Sequence, residues 1–261
     1  MKAHKLVTVA VAIAALAVAG CGSGGSSSSG GGKPDLVVSA AASLKDAFTQ
    51  YGQHFPQANL RASFAGSDEL AAQIQQGVKP DVFASANTKL PDQLFQKGLV
   101  EKPVVFAGNR LVIAVPASGA KVTSLADLEK PGVTIAMGSA TVPVGAYTRK
   151  VLSGLPKADS AKLLANVRSN EPDVAGVVGK VTQGAVDAGF VYITDVDATD
   201  GKLKAIELPK SLQPQVAYGV AVVKGAKHPK QAQEFINGLL HGAGQQALKA
   251  AGFEPPPATG S

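Results

Sequence analysis

Two serines, Ser43 and Ser67, stand where short apolar runs turn into helix-like stretches, a placement suited to holding a small anion. Residues 36–42 (Leu-Val-Val-Ser-Ala-Ala-Ala) lead into Ser43, and residues 60–66 (Leu-Arg-Ala-Ser-Phe-Ala-Gly) lead into Ser67. In a parallel α/β sheet the strand ends and helix N-termini gather at one edge, so both serines are expected at one crevice. A helix N-terminus offers unpaired N–H groups and a partial positive charge, to which each serine adds a hydroxyl. Taken alone, each serine is equally an ordinary N-cap. Asp46 follows Ser43 at three residues, an approximate capping box, and Asp68 and Glu69 after Ser67 complement a helix dipole.

Three later segments carry the same kind of chemistry. Residues 138–142 leave a strand, and Pro143-Val144-Gly145 opens a helix with proline in its first turn. Asp173 is placed to cap a helix whose first residue, Val174, presents its backbone N–H, and its side chain is expected to cap outward. Gly176 and Gly179 within that helix each cost about 1 kcal/mol relative to alanine, which points to close packing there. Tyr192 ends the run Ala188–Ile193 at the carboxyl edge where ligands of open α/β sheets bind. A tyrosine that is simply half-buried is the other reading of that position.

The elements that must position these groups alternate along the chain. Strand-like runs fall at 36–40, 60–64, 81–85, 110–115, 133–137, 188–193 and 217–223. Helix-like stretches fall at 44–55, 68–76, 90–97, 146–155, 161–164, 174–184 and 229–251. Such alternation predicts a mainly parallel sheet with crossover helices. The similar runs Arg110–Pro116 and Val216–Val223 bracket a self-contained α/β series, which predicts two lobes joined by two crossing strands. Lobe I is then residues 34–110 plus 217–261, and lobe II residues 111–216. A cleft between such lobes suits ligand capture by closure. The tail from Glu254 is expected to lack structure.

The first residues read as a secretory leader, residues 1–20. Met1-Lys2-Ala3-His4-Lys5 is basic, Leu6–Val18 is uncharged and apolar, and small residues precede Cys21. The apolar run is short of the roughly 20 residues of a permanent span. Cys21 is the only cysteine, so no internal disulfide forms. Its setting after Leu16–Gly20 resembles the bacterial lipobox, which implies a lipid anchor at Cys21. Residues 22–32 are only Gly and Ser, a flexible tether completed by Lys33. Anchor and tether imply a soluble domain at the outer face of the cytoplasmic membrane. The formal charge of +6 becomes +4 once Lys2 and Lys5 leave, and the remaining basic residues are scattered. No basic stripe with interleaved aromatics appears, so nucleic acid is not an expected partner.

The stretches 40–44 (Ala-Ala-Ala-Ser-Leu), 63–67 (Ser-Phe-Ala-Gly-Ser) and 77–86 (Gly-Val-Lys-Pro-Asp-Val-Phe-Ala-Ser-Ala) resemble the N-terminal signature of periplasmic molybdate-binding proteins. Val142–Tyr147, Ala188–Tyr192 with Asp195, and Gly252-Phe253 follow in the family's order, so the resemblance covers nearly all of 35–253. It implies a two-lobed type II periplasmic-binding-protein fold, each lobe a mainly parallel sheet flanked by helices. It also implies binding of molybdate, commonly tungstate too, and delivery to the permease and ATPase of an ABC importer. Carried over by position, the oxyanion is held by Ser43, Ser67, Val144, Val174 and Tyr192, with the two valines acting through backbone N–H. No other cofactor, no free metal cation and a monomer are expected. Where the family often has Gly-Asp-Pro after the strand ending at Gly138, this chain has Ser139-Ala140.

A fully deprotonated tetrahedral dianion needs donors only, and this set supplies donors only. Phosphate near neutral pH keeps a proton, which left unpaired in a buried site costs about 1–3 kcal/mol. Asp173 turned inward would supply the missing acceptor. Sulfate satisfies the same donors, so a sulfate-type receptor of the same fold is the alternative. A secreted serine hydrolase is disfavoured. After the leader, only His54, His228 and His241 remain. No Gly-x-Ser-x-Gly elbow surrounds either serine. His54 lies about two to three turns beyond Ser43 on the same predicted helix. The chain is therefore not expected to be an enzyme. A purely structural surface lipoprotein predicts no anion binding and leaves the five positions unexplained.

Overall fold

Apolar strands and amphipathic helices alternate through the computed structural model, which describes residues 32–258. The leader, Cys21 and the tether up to residue 31 lie outside the described residues. In chain order the strands are β1 (Asp35–Ala41), β2 (Asn59–Ala65), β3 (Val82–Ser85), β4 (Val104–Asn109), β5 (Leu111–Pro116), β6 (Ile135–Gly138), β7 (Val167–Glu171), β8 (Ala188–Tyr192), β9 (Leu203–Glu207) and β10 (Val216–Val222). The helices are α1 (Lys45–Gln53), α2 (Ser67–Gln75), α3 (Lys89–Gln96), α4 (Pro143–Ser153), α5 (Lys157–Ala165), α6 (Val174–Thr182), α7 (Ile193–Asp197), α8 (Pro229–His241) and α9 (Ala243–Ala250). A 3₁₀ turn at Ala42–Leu44 precedes α1, and another spans Leu125–Glu129.

The strands form two five-stranded sheets, in the orders β2-β1-β3-β10-β4 and β7-β6-β8-β5-β9. Each sheet has three adjacent parallel strands, and one strand runs against the rest: β10 in the first, β5 in the second. The expectation of mainly parallel sheets therefore holds for direction, with two mixed sheets as the result. The reversed strands are the ones that follow the passages between sheets. The chain leaves the first sheet at Asn109, enters the second at Leu111, and returns between Glu207 and Val216. Arg110, between the sheets, pairs with Glu207 and also with Glu254 at 2.9 Å.

Three strands have no counterpart among the sequence-derived runs: β4, β7 and β9. Each is a sheet edge. In β7 and β9, each with a neighbour on one side only, charge is tolerated, and Arg168, Glu171, Lys204 and Glu207 break the apolar pattern. Strand β4 carries no charge, and its apolar run Val104–Ala107 was passed over. The single helix expected over 229–251 is two helices, interrupted at Gly242. The tail is also more ordered than expected. The N–H and C=O of Glu254 bond to Gly108, extending the β4 edge.

Residues of both sheets belong to one continuous apolar core. Phe48, Tyr51, Phe55 and Phe235 pack edge-on and stacked at 4.7–5.6 Å between α1 and α8. A second aromatic chain crosses the molecule from Tyr147 through Tyr192 to Tyr218 and Phe253, with centroids 5.3–6.4 Å apart. A smaller cluster around Leu70, Ile74, Phe83 and Leu94 fills the far face of the first sheet.

Candidate functional site

Five strands lead, over at most four residues, into helical segments. In the first sheet β1 leads to the 3₁₀ turn before α1, and β2 leads to α2. In the second, β6, β7 and β8 lead to α4, α6 and α7. The parallel register pairs Ala41 with Ala65, so Ser43 and Ser67, each two residues further on, come side by side. All five positions singled out in the sequence line one small cavity: Ser43 and Ser67 on one wall, Val144, Val174 and Tyr192 on the other. Its free volume is only about 20 Å³, far below the roughly 300–1,000 Å³ of sites for drug-sized ligands.

The serines are not N-caps. Ser43 lies inside the 3₁₀ turn, the residue before α1 is Leu44, and no side chain caps either start, so the capping box with Asp46 does not form. Ser67 is the first residue of α2, and Gly66 holds the cap position. Both hydroxyls serve elsewhere. Ser43 Oγ is 2.9 Å from Tyr218 Oη, and Ser67 Oγ accepts the N–H of Ala86 at 3.1 Å. Because Ser67 already accepts that N–H, its own proton is free to donate toward the cavity it lines.

In the second wall the helix starts follow the sequence expectations. Pro143 is the first residue of α4. The N–H groups of Val144 and Gly145 fall in the first turn, which has no intrahelical acceptor. Asp173 caps α6 by accepting the Gly176 N–H at 2.9 Å, leaving the first-turn N–H of Val174 unpaired by the helix. A side chain at Gly176 would press on Glu171, which explains the glycine there. Gly179 has no such neighbour and the structure gives it no packing role.

Tyr192 is 1% exposed, and its hydroxyl has no hydrogen-bond partner in the protein. Burial, then the neighbouring Tyr218, Tyr147 and Asp195, hold it well above tyrosine's ordinary range, so it stays a donor. The cavity lining contains no lysine, arginine or histidine, and Asp173 is its single carboxylate among the described residues. Attraction for an anion therefore comes from hydroxyls, N–H groups and helix ends. Among the described residues no cluster of His, Cys, Asp and Glu is arranged to hold a metal ion.

A wider groove of about 650 Å³ opens beside the cavity and shares Ser43 with it. It carries Asp46, Asp195, Asp197 and Asp200 against Lys45 and Lys249, a lining that does not favour an anion. Asp195, partly buried in its wall, accepts the Tyr192 N–H at 2.9 Å. Burial above all, with Asp173 and Asp46 adding to it and the Tyr192 N–H opposing, raises its carboxyl to about 7.

Sequence reasoning passed over Tyr218 and Asn109. Tyr218 lies fully buried within β10, and Asn109 is the buried end of β4. Their available signal was a polar atom inside an otherwise apolar strand run, which by itself gives no direction.

Residues 36–254 match the family model described as bacterial extracellular solute-binding protein. The chain is 37% identical over 231 residues to the Molybdate-binding protein ModA of Mycobacterium tuberculosis, covering 86% of each chain. It is 32% identical over 230 residues to the putative ABC transporter substrate-binding lipoprotein YvgL of Bacillus subtilis, covering 85% of this chain and 86% of that one. Among solved structures it is similar to the substrate binding domain of a putative molybdenum ABC transporter from Clostridium difficile. That likeness has a TM-score of 0.64 and 30% identity, over 85% of this chain and 99% of the other.

Proposed function

The chain belongs to the bacterial extracellular solute-binding proteins, and from that premise we propose that it binds molybdate, and tungstate alongside it, in the small cavity between its two sheets. Ser43, Ser67 and Tyr192 donate through their hydroxyls, and Val144 and Val174 through their backbone N–H groups. The observation that carries this reading is the Tyr192 hydroxyl, buried at the cavity without a protein acceptor. A buried donor left unpaired costs about 1–3 kcal/mol, and an oxyanion seated in the cavity removes that cost. The likeness to a molybdate-binding relative supports the choice of anion.

The protein then acts as a receptor rather than an enzyme: a monomer tethered through lipidated Cys21 at the outer face of the cytoplasmic membrane, handing its anion to an ABC importer. The resemblance to a substrate-binding lipoprotein supports that placement. No charge in the cavity wall neutralises the anion, so release needs only that the two walls part and return the donors to water.

A panel of molybdate, tungstate, sulfate and phosphate, followed by calorimetry and thermal unfolding, tests the reading. Molybdate at about 100 times its Kd adds about 2.7 kcal/mol of stability. Strong stabilisation by sulfate or phosphate with none by molybdate overturns it.

A further inference from the structure

The hydroxyls of Ser43 and Tyr218 lie 2.9 Å apart, a contact in which either oxygen can donate. The groups behind Tyr218 fix the direction. Asn109 Oδ1 accepts the Arg110 N–H at 2.9 Å. A backbone N–H only donates, so the other end of the Asn109 amide is Nδ2. Nδ2 donates to Thr194 Oγ1 at 2.9 Å and to Tyr218 Oη at 3.3 Å. Tyr218 thus accepts from Asn109, and its own proton is left for Ser43 Oγ. Burial keeps that proton in place far above neutral pH. Ser43 therefore accepts from Tyr218, and its own O–H is left to donate to an acceptor in the cavity that it lines.

Resting on the oxyanion reading above, we infer that Tyr218 and Asn109 are specificity-determining positioning residues, which lock the Ser43 hydroxyl as a donor into the cavity and so exclude oxyanions that keep a proton. The lock spans the molecule: Asn109 closes β4 in the first sheet, and Thr194 lies in α7, which follows β8 of the second. It is complete only with the two sheets in their present relation. Ser67 is held in the same sense by a backbone N–H. Tyr218's proton occupies one of the two Ser43 lone pairs, and its removal frees that lone pair to accept a ligand O–H.

Calorimetry with molybdate, sulfate and phosphate at pH 7 tests this on wild type, Tyr218→Phe, Ser43→Ala and the double variant. In Tyr218→Phe, molybdate and sulfate weaken by the same factor, while phosphate gains on molybdate roughly tenfold, about the worth of one hydrogen bond. A merely structural role shifts all three anions alike. In the Ser43→Ala background, Tyr218→Phe leaves the phosphate-to-molybdate ratio unchanged, because the hydroxyl it controls is gone. Asn109→Ala moves the ratio in the same direction as Tyr218→Phe and carries the test if that variant does not fold, as judged by unfolding without ligand. A phosphate-to-molybdate ratio equal in wild type and Tyr218→Phe, or phosphate binding absent from both, overturns the inference, as does a ratio change that persists without Ser43. A wild type that binds no molybdate overturns both readings, whereas one that binds it with an unchanged ratio in Tyr218→Phe overturns the lock alone.

Discussion

Ser67 and Tyr192 line the same cavity, yet their hydroxyls have opposite standing in the ligand-free protein. Ser67 accepts the buried Ala86 N–H, so it serves the fold as well as the site. Tyr192's hydroxyl bonds to nothing in the protein and is left available to a ligand. Ser67→Ala is expected to weaken molybdate by about 1–3 kcal/mol and also to lower ligand-free stability, since it leaves an N–H unpaired. Tyr192→Phe is expected to weaken molybdate to a similar degree with ligand-free stability unchanged or slightly raised. Paired calorimetry and urea unfolding separate the two effects. A Tyr192→Phe protein that binds molybdate like wild type would show that the hydroxyl does not reach the ligand. Val144→Ala should matter less than either, because the donor there is the backbone.

At the scale of the element, the short helix α7 carries a pH response. Its Asp195 accepts the Tyr192 N–H while burial, Asp173 and Asp46 raise its carboxyl to about 7. The unfolded chain releases that proton near the ordinary aspartate value of about 4. Between those values the folded state holds more protons, so the group's contribution to stability is full below about pH 4 and is lost as pH rises to about 7. Asp195→Asn keeps an oxygen for the Tyr192 N–H and removes the charge. It is expected to match wild type near pH 4 and to exceed it at pH 8 by about 1–2 kcal/mol, a figure reduced for the partial exposure of the site. Urea denaturation across that range reads the difference, and a variant less stable than wild type at pH 8 would contradict it.

At the scale of the whole molecule, closure depends on how near the two walls can come. Gly66 at the start of α2 faces Pro172, just before α6, so closely that a Cβ would sit 2.4 Å from the Pro172 carbonyl oxygen. That contact is backbone against backbone and cannot relax by a side-chain turn. Gly66→Ala is therefore expected to hold the walls apart, lowering molybdate affinity tenfold or more, in line with about 1–3 kcal/mol for an overpacked contact. Its ligand-free stability should fall as well, because the contact is present without ligand. Small-angle scattering checks the cause: the variant should stay expanded when molybdate is added. Compaction equal to wild type would refute the wedge.

The sequence by itself determined the alternation of strand and helix, the passage between sheets near Arg110, and the five positions that meet at the cavity. Those features are local: apolar runs, a proline at a helix start, an aspartate before one, a serine two residues past a strand. Asp173 capping α6 and Pro143 opening α4 were legible for that reason. Edge strands β7 and β9 were not, because charged residues interrupt their apolar pattern, whereas β4 was passed over despite its apolar run Val104–Ala107. Only the tertiary structure decided what the serine hydroxyls do. Local pattern made them caps, but the register of β1 and β2 and the approach of Tyr218 and Ala86 gave each oxygen a donor from a distant element. Hydrogen-bond direction depends on every partner at once, and those partners come from four separate parts of the chain.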